Sequence, residues 1–286
     1  MNTKPIFITL ILAAILFAGC SSVNKNINVR PSATATSDQM TKTFEKNLPD
    51  GFARPTDDVG VRLLGEYGSV FVARGGAVVP KTVVFKGDAE VAAFQSSLRG
   101  SKDTVGGVEI ELQSAAMSAL KEAATEAVQN KLTITPRGAD SAKRSYEDTV
   151  GLWKSRVEPG LTHWVRQGRI TAADAERIRA FSPFEQVPEI LKLESQGMFF
   201  AKDLSKSIIY SVAPPGSSQH LSMLALDVAE HDNSQVRSIL AKHGWYQTVV
   251  SDLPHFTFLG EKEDSLVALG LKRTERGNRV FWVPDI

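Results

Sequence analysis

The stretch Pro214–Phe258 reads PPGSSQHLSMLALDVAEHDNSQVRSILAKHGWYQTVVSDLPHFTF and concentrates the side chains of this chain that can bind a metal. It contains four of the five histidines of the sequence. His220 precedes Asp227 by seven residues, and the stretch closes with Asp252-Leu-Pro-His255. Neutral imidazole and carboxylate groups are ligands of catalytic zinc, which keeps a further position open for water. We therefore predict a zinc site formed by His220, Asp227 and His255.

Asp252 is the candidate proton carrier of this site. Zinc lowers the pKa of a bound water to about 7, so hydroxide is available at neutral pH. A carboxylate outside the ligand set must then pass the proton of this water to the leaving group. The spacing of the ligands is not a short helical zinc motif, and HExxH is absent. Taken alone, each histidine of the sequence is better explained as a structural or surface residue. His163, His231 and His243 are predicted not to bind the metal.

Periodicity within the stretch predicts strands and one helix. Strands are predicted at residues 223–228, 245–250 and 255–259, and a helix at residues 234–243. Gly244 follows that helix as its C-cap. His220 and Asp227 would lie at or near one strand, and His255 would open a neighbouring strand. Ligands in these positions can converge on one face of a sheet.

The remaining sequence surrounds this centre with helices and further strands. The clearest helix is predicted at residues 112–131. Its apolar stripe is predicted to contain Leu112, Ala116, Leu120, Ala124 and Val128, widened by Ala119, Ala123 and Ala127. Further strands are predicted at residues 69–73, 82–85, 132–136 and 207–212, with a closing hairpin at 271–273 and 280–283. The mixture predicts the α+β class, with a largely antiparallel sheet that is flanked by helices and carries the zinc site.

Two regions are predicted to extend the domain 46–286. They are a β-rich N-terminal extension over residues 46–110 and a helical insertion over residues 154–210. A capping box at Thr171 predicts one helix of the insertion. Pro183 and Pro188 interrupt the helical pattern, so the next helix is predicted only at residues 189–196. The insertion either forms part of a substrate cleft or passes outside it.

Composition narrows the classes of protein and of metal site. A length of 286 residues allows one large domain or two small ones. The net charge of +1 gives no reason to expect nucleic acid as a partner. Cys20 is the only cysteine, which excludes an intramolecular disulfide and a cysteine-based zinc site.

The first twenty residues have the pattern of an export signal. Lys4 precedes an apolar run that is too short to span a bilayer comfortably. Phe17-Ala-Gly-Cys20 resembles the cleavage box of bacterial lipoproteins, which implies a lipid on Cys20 and an anchor on the periplasmic side of the cell envelope. Ser21 favours the outer membrane by analogy with enteric lipoproteins. The alternative is a cleaved secretory signal, and the polar residues 21–45 are predicted to be a flexible tether in either case.

Three segments in order resemble one enzyme family. They are Ser141-Ala-Lys-Arg144-Ser145, then Ser218-Gln-His220 with Ala225 and Asp227, then Trp245 followed by Asp252-Leu-Pro-His255-Phe256. Together they resemble the zinc D-alanyl-D-alanine carboxypeptidases of the VanY type and the related endolysin L-alanyl-D-glutamate peptidases. The resemblance covers roughly residues 110–260. Met223 occupies a position where the family pattern has glycine, and Ala142 and Lys143 replace glycine and tyrosine.

The resemblance implies a role for each residue of the site. His220, Asp227 and His255 are implied as zinc ligands and Asp252 as the general base. Arg144 is implied to bind or polarise the substrate, and Ser218 is implied to hold a substrate carboxylate.

The implied reaction is hydrolysis of peptide bonds in peptidoglycan stem peptides, with D-alanyl-D-alanine carboxypeptidase activity as the first expectation. An L,D-cleaving or endo-acting wall peptidase with the same centre is an alternative. A second alternative is a non-catalytic envelope lipoprotein that only binds wall peptides, as the departures at Met223, Ala142 and Lys143 suggest.

Overall fold

Our computed structural model describes residues 43–286. The strands of this part of the chain form three small antiparallel sheets. The first pairs β1 (Gly100–Val105) with β2 (Val108–Gln113); the second has the order β3 (Ala225–Asp227), β5 (His255–Phe258), β4 (Trp245–Tyr246); the third pairs β6 (Leu271–Arg276) with β7 (Arg279–Pro284). The second sheet holds the candidate ligands, because its register places Asp227 directly opposite His255.

Seven α-helices of eight residues or more surround these sheets within residues 43–286. They are α1 (Asp58–Tyr67), α2 (Asp88–Ser96), α3 (Ser114–Gln129), α4 (Tyr146–Arg166), α5 (Ala172–Ala180), α6 (Pro183–Ser195) and α7 (Ser234–Lys242). Helices and antiparallel strands in this mixture confirm the α+β class. None of these helices is long and apolar enough to cross a membrane.

Helix α3 confirms the clearest helical prediction and corrects one edge of its apolar stripe. The predicted stripe ended at Val128, which is 69% exposed. The buried side chains lie at positions 116, 117, 120, 123 and 127, and all of them except Met117 belong to the predicted stripe. A step of seven residues is close to two full turns of an α-helix, whereas a step of eight overshoots by about 80°. Ala123 and Ala127 therefore face the core, and Val128 turns away from it.

Four predicted strands do not form. Residues 69–73 fall largely in the 3-10 helix Gly68–Val72, and residues 207–212 contain the 3-10 helix Ile208–Tyr210. The other two segments contribute one isolated bridge each, Ala53 with Thr82 and Pro136 with Val228. The region 46–110 contains β1 and the start of β2 but more residues in helices, so it is not β-rich. These segments are apolar because they are buried, and burial alone does not supply a partner strand.

The insertion is helical as predicted, but two of its helices extend further than the sequence pattern indicates. Helix α4 continues through Pro159 to Arg166, and α6 begins at Pro183 and includes Pro188. A proline in the first turn loses no hydrogen bond, which explains why Pro183 starts the helix rather than preventing it. The capping box at Thr171 is present, since the Thr171 hydroxyl and the Asp174 carboxylate each accept a backbone N–H of the other.

The folded part of the chain begins earlier than predicted. Residues 43–47 are helical, and Phe44 is fully buried within the main hydrophobic core. Its backbone lies so close to Gly270 that a Cβ on this glycine would meet the Phe44 nitrogen at 2.1 Å. The predicted tether 21–45 thus overlaps the fold at its end. The export signal, Cys20 and the rest of the tether lie outside the described residues.

Candidate metal centre

The three predicted ligands meet at one end of the second sheet. Asp227 ends β3 and pairs across the sheet with His255, the first residue of β5. His220 lies in the 3-10 helix Gln219–Ser222, shortly before β3. Nε2 of His220 is 3.4 Å from Oδ1 of Asp227, and Nδ1 of His255 is 3.3 Å from the same oxygen. One ligand atom from each residue lies within 4.8 Å of the other two, so the group can hold a metal ion.

The Asp227 carboxylate has one oxygen in use and one without a partner. Oδ2 accepts a hydrogen bond from Nη2 of Arg144 at 2.9 Å. Oδ1 is buried and has no hydrogen-bond partner among residues 43–286. A buried polar atom without a partner costs about 1–3 kcal/mol, and more when the group is charged. A cation between Oδ1 and the two imidazoles removes this cost, so the residues present fit a metal.

Each histidine donates a hydrogen bond on the side that faces away from Asp227. Nδ1 of His220 donates to the Ala142 carbonyl at 2.8 Å. Because that carbonyl can only accept, Nδ1 carries the proton and Nε2 presents its lone pair to Asp227. Nε2 of His255 contacts the side-chain oxygen of Gln219 at 2.9 Å.

The orientation of the Gln219 amide decides the tautomer of His255. Nε2 of Gln219 donates to the Tyr67 carbonyl at 2.8 Å, which leaves Oε1 of Gln219 as the acceptor facing His255. Nε2 of His255 is therefore the donor, and Nδ1 is free to bind a metal. Both free imidazole nitrogens thus point to the unpartnered oxygen of Asp227, as metal-binding histidines with fixed outer partners do.

The protonation states of the ligands suit a metal. Burial lowers the pKa of the His220 imidazole, and the attraction of Asp227 offsets only part of this effect. Burial would raise the pKa of the Asp227 carboxyl, but the electrostatic attraction of His220 and His255 beside it outweighs burial and holds that pKa far below its usual range. A neutral imidazole and an ionised carboxylate are the forms that bind metals.

Arg144 contacts a predicted ligand directly. Its side chain and that of Asp227 are 15% and 14% exposed, so their ion pair is largely shielded from water. Nε of Arg144 donates to the Asp140 carbonyl at 3.0 Å, which holds the guanidinium in place. This contact gives Arg144 an anchoring role toward Asp227. A direct role on the substrate stays a prediction.

A cavity of about 320 Å³ opens beside the three ligands. His220, His255, Asp252, Ser218 and Arg144 all line it, so the structure brings the sequence-predicted residues together around one space. Asp252 is exposed and lies in the turn before β5, where its carbonyl accepts the His255 N–H at 3.2 Å. Ser218 is 9% exposed, and its hydroxyl has no hydrogen-bond partner among residues 43–286.

The insertion forms one wall of this cavity. The insertion contributes Arg156 of helix α4 together with Ile209 and Tyr210, and Leu152 and Ser211 line the cavity just outside its two ends. The insertion therefore lies at the candidate site rather than outside it. Sequence reasoning did not assign Arg156 or Gln219 to the site. Gln219 adjoins His220 in the sequence, and this position beside a predicted ligand was its available signal. Its side chain contacts the hydroxyls of Thr248, which follows β4, and of Thr257, which lies in β5.

The other histidines are not part of the metal group. His243 contacts Glu122 and Glu126, and His163 packs edge-on against Trp164. The side chains of His231 and His243 are 18% and 19% exposed, so both are more buried than a surface position implies.

Met223 adopts the backbone conformation that favours glycine. Its φ is 58° and its ψ is 28°, in the left-handed region, and its side chain is 1% exposed. A side chain other than glycine in this region costs about 1–2 kcal/mol. The chain thus makes the turn between His220 and β3 with a methionine, and the buried side chain compensates for the strained backbone.

No protein-family model, no curated protein and no solved structure matches this chain. The chemistry of the centre and the resemblance of the three sequence segments are therefore the basis for proposing a function.

Proposed function

We propose that this protein hydrolyses peptide bonds in peptidoglycan stem peptides with one zinc ion, and that it acts as a D-alanyl-D-alanine carboxypeptidase. One observation carries the proposal. The free nitrogens of His220 and His255 point to the unpartnered oxygen of Asp227 beside a cavity, and a separate carboxylate, Asp252, lines that cavity. This is the set of groups that metal-assisted hydrolysis of an amide needs.

The donor atoms suit zinc better than calcium or magnesium. Two imidazole nitrogens and one carboxylate oxygen form a ligand set of catalytic zinc sites, in which a fourth position stays open. Calcium and magnesium prefer sites made of oxygen atoms, and no second carboxylate joins the group within residues 43–286. The outer contacts of both histidines, with Ala142 and Gln219, support the same choice.

The residues of the chain divide the reaction between them. Zinc, when held by His220, Asp227 and His255, would supply a water of lowered pKa and would polarise the substrate carbonyl. Asp252 accepts the proton of the attacking water and returns it to the amine that leaves. Arg144 holds Asp227 in its ligand orientation, and its remaining N–H groups offer positive charge to the carbonyl oxygen as that oxygen becomes negative. Ser218 offers its hydroxyl to the substrate from the wall of the cavity.

The N-terminal sequence supports this choice of substrate. A lipid on Cys20 would hold the chain on the periplasmic side of the cell envelope, where stem peptides occur. Labelling with a radioactive fatty acid, compared between the native chain and Cys20→Ser, tests the anchor separately from the enzyme.

The test of the proposal is metal content followed by product analysis. We expect one zinc per chain in the purified protein, and loss of one D-alanine from muropeptides that end in D-Ala-D-Ala, measured by mass spectrometry. A chelator should abolish the release, and added zinc should restore it. Products cut at another bond would identify an L,D-cleaving or endo-acting enzyme. Zinc-dependent binding of muropeptides without any product would identify a non-catalytic wall-binding protein and overturn the proposal.

A further inference from the structure

Arg156 is the cation of the cavity that has no acidic partner. Two arginines line the cavity, Arg144 and Arg156. Arg144 is paired with Asp227, whereas Arg156 forms no ion pair with any residue from 43 to 286. Asp252 is the other charged residue that lines the cavity, and it is the proposed base. A substrate with a negative group therefore finds Arg156 as its available positive charge.

Two hydroxyl groups hold the Arg156 guanidinium in position. Nε donates to Oγ of Ser211 at 3.0 Å, and Nη1 donates to Oγ of Ser155 at 2.8 Å. Nη2 has no hydrogen-bond partner within residues 43–286. Neutral partners orient the side chain but leave its charge uncompensated in a half-buried position, which favours binding of an anion there.

The neighbours of Arg156 fit a small residue beside the anion. Leu152 lies one turn earlier on the same helix, and Ile209 and Tyr210 precede Ser211 on the facing segment. Leu152 and Tyr210 are 37% and 39% exposed, so both present apolar surface that a ligand can cover. A carboxylate with a short apolar side chain next to it matches this surface, and the C-terminal residue of a peptide has that chemistry.

We propose that Arg156 binds the free C-terminal carboxylate of the substrate peptide and thereby makes the enzyme specific for the end of a chain. This inference rests on the proposed function, because it assumes that the cavity takes a peptide. The planar guanidinium with its unoccupied N–H groups suits a carboxylate, which can accept two parallel hydrogen bonds. A peptide that continues beyond the cut bond, as in an endopeptidase, has no carboxylate for Arg156 to bind.

The test compares two peptides that differ only at the C-terminus. One is an acetylated peptide that ends in D-Ala-D-Ala as the free acid, and the other is its C-terminal amide. Binding is measured by calorimetry on the zinc-loaded full chain with Asp252→Asn, in which the proposed function predicts that cleavage is suppressed. We expect the acid to bind about 10- to 100-fold more tightly than the amide, as expected for a hydrogen bond to a charged group. Arg156→Gln added to this chain should weaken binding of the acid and leave that of the amide unchanged.

Arg166→Gln is the matched control, because Arg166 lies on the same helix, is exposed and does not line the cavity. It should keep the full preference for the acid. Ser211→Ala is a second variant that removes a support of Arg156, and it should reduce the preference without abolishing it. The inference would be overturned if Arg156→Gln weakened the binding of both peptides equally or left the preference for the acid unchanged. It would also be overturned if neither peptide bound.

Hydrolysis by the zinc-loaded native chain separates the two proposals. If the peptide is cleaved but the preference for the acid does not depend on Arg156, the proposed function is supported and this inference is contradicted. If the preference for the acid depends on Arg156 but no peptide is cleaved, binding of the carboxylate by Arg156 is supported and the enzymatic function is contradicted.

Discussion

The side-chain oxygen of Gln219 accepts a hydrogen bond from Nε2 of His255 at 2.9 Å. The amide of Gln219 is itself oriented by the Tyr67 carbonyl, which accepts from its nitrogen at 2.8 Å. A backbone carbonyl in α1 thus determines, through one glutamine, which nitrogen of His255 faces Asp227. Such outer contacts orient metal ligands, and their removal typically lowers metal affinity by about 10- to 100-fold.

Removal of the Gln219 amide should weaken metal binding. We expect Gln219→Leu to lower the zinc affinity about 10- to 100-fold, because His255 loses the partner that holds its ring and its tautomer. Competition with a chromogenic chelator measures the affinity. Gln186→Leu is the matched control, since Gln186 is also buried but lies in the insertion and accepts a hydrogen bond from Trp153. Equal zinc affinities of the native chain and Gln219→Leu would contradict the role of this contact.

The amount of zinc that the protein retains should depend on His220 and His255. His220→Gln and His255→Gln are each expected to reduce the zinc content from one per chain to a small fraction, because two ligands hold zinc far less tightly than three. Elemental analysis after dialysis measures it. His243→Gln should keep one zinc per chain, since His243 contacts Glu122 and Glu126 instead. Loss of zinc in this control as well would place the metal elsewhere.

Asp252 should affect turnover and not metal binding. Asp252→Asn keeps the shape of the side chain but cannot accept a proton, so we expect kcat to fall about 10²- to 10⁴-fold with one zinc retained. The release of D-alanine from a D-Ala-D-Ala peptide provides the rate. Asp264→Asn is an exposed control in the 3-10 helix Glu263–Ser265 and should keep full activity. Full activity in Asp252→Asn would remove this residue from the reaction.

Because the backbone at Met223 is left-handed, a glycine variant at this position should be more stable than an alanine variant, which is the reverse of the usual order. Both Met223→Ala and Met223→Gly lose a buried side chain, at a cost of about 2–5 kcal/mol. At a φ of 58° glycine avoids the steric penalty that alanine retains, so Met223→Gly should be the more stable of the two by about 1 kcal/mol. Urea denaturation measures the free energy of unfolding.

Met117 provides the matched pair for this comparison, because it is equally buried but lies within helix α3. There Met117→Ala should be more stable than Met117→Gly by about 1 kcal/mol. The same order of stability at both positions would show that the conformation of Met223 does not persist in solution.

The metal-free protein should lose stability when it is acidified. Burial lowers the pKa of His220, so the unfolded chain takes up a proton near the ordinary histidine pKa of about 6.5, where the folded chain does not. Unfolding is therefore favoured as the pH falls through this value. His231 acts in the same direction, since burial lowers its pKa as well. The depressed pKa of Asp227 adds stability above its unfolded value of about 3.9 that is lost as the pH falls further.

Thermal unfolding of the chelator-treated chain tests this pH dependence. We expect Tm to fall between about pH 7.5 and pH 5.5, on either side of the ordinary histidine pKa. In His220→Gln the fall should be smaller, because one of the buried bases is missing. A Tm that rises on acidification would contradict a lowered pKa of His220 in the folded chain.

Elements whose signals are local could be predicted from sequence. Helix α7 with Gly244 after it, the capping box at Thr171 and the hairpin Leu271–Pro284 form as predicted. Their patterns combine periodicity with residues whose own backbone or side chain ends an element, and these act over a few positions. Residues 69–73 and 207–212 are apolar in the same way but lack a partner strand, which no local pattern reveals.

The sequence by itself determined which residues can bind a metal and which cannot. One cysteine near the N-terminus left His, Asp and Glu as donors, and the order of His220, Asp227 and His255 identified the group that the fold brings together. Only the tertiary structure decided how these ligands are held and what surrounds them. The Ala142 carbonyl contacts His220 across 78 positions, and Arg144 pairs with Asp227 across 83. Such contacts depend on which distant backbone lies alongside, because hydrogen bonds act over about 3 Å and follow packing rather than sequence.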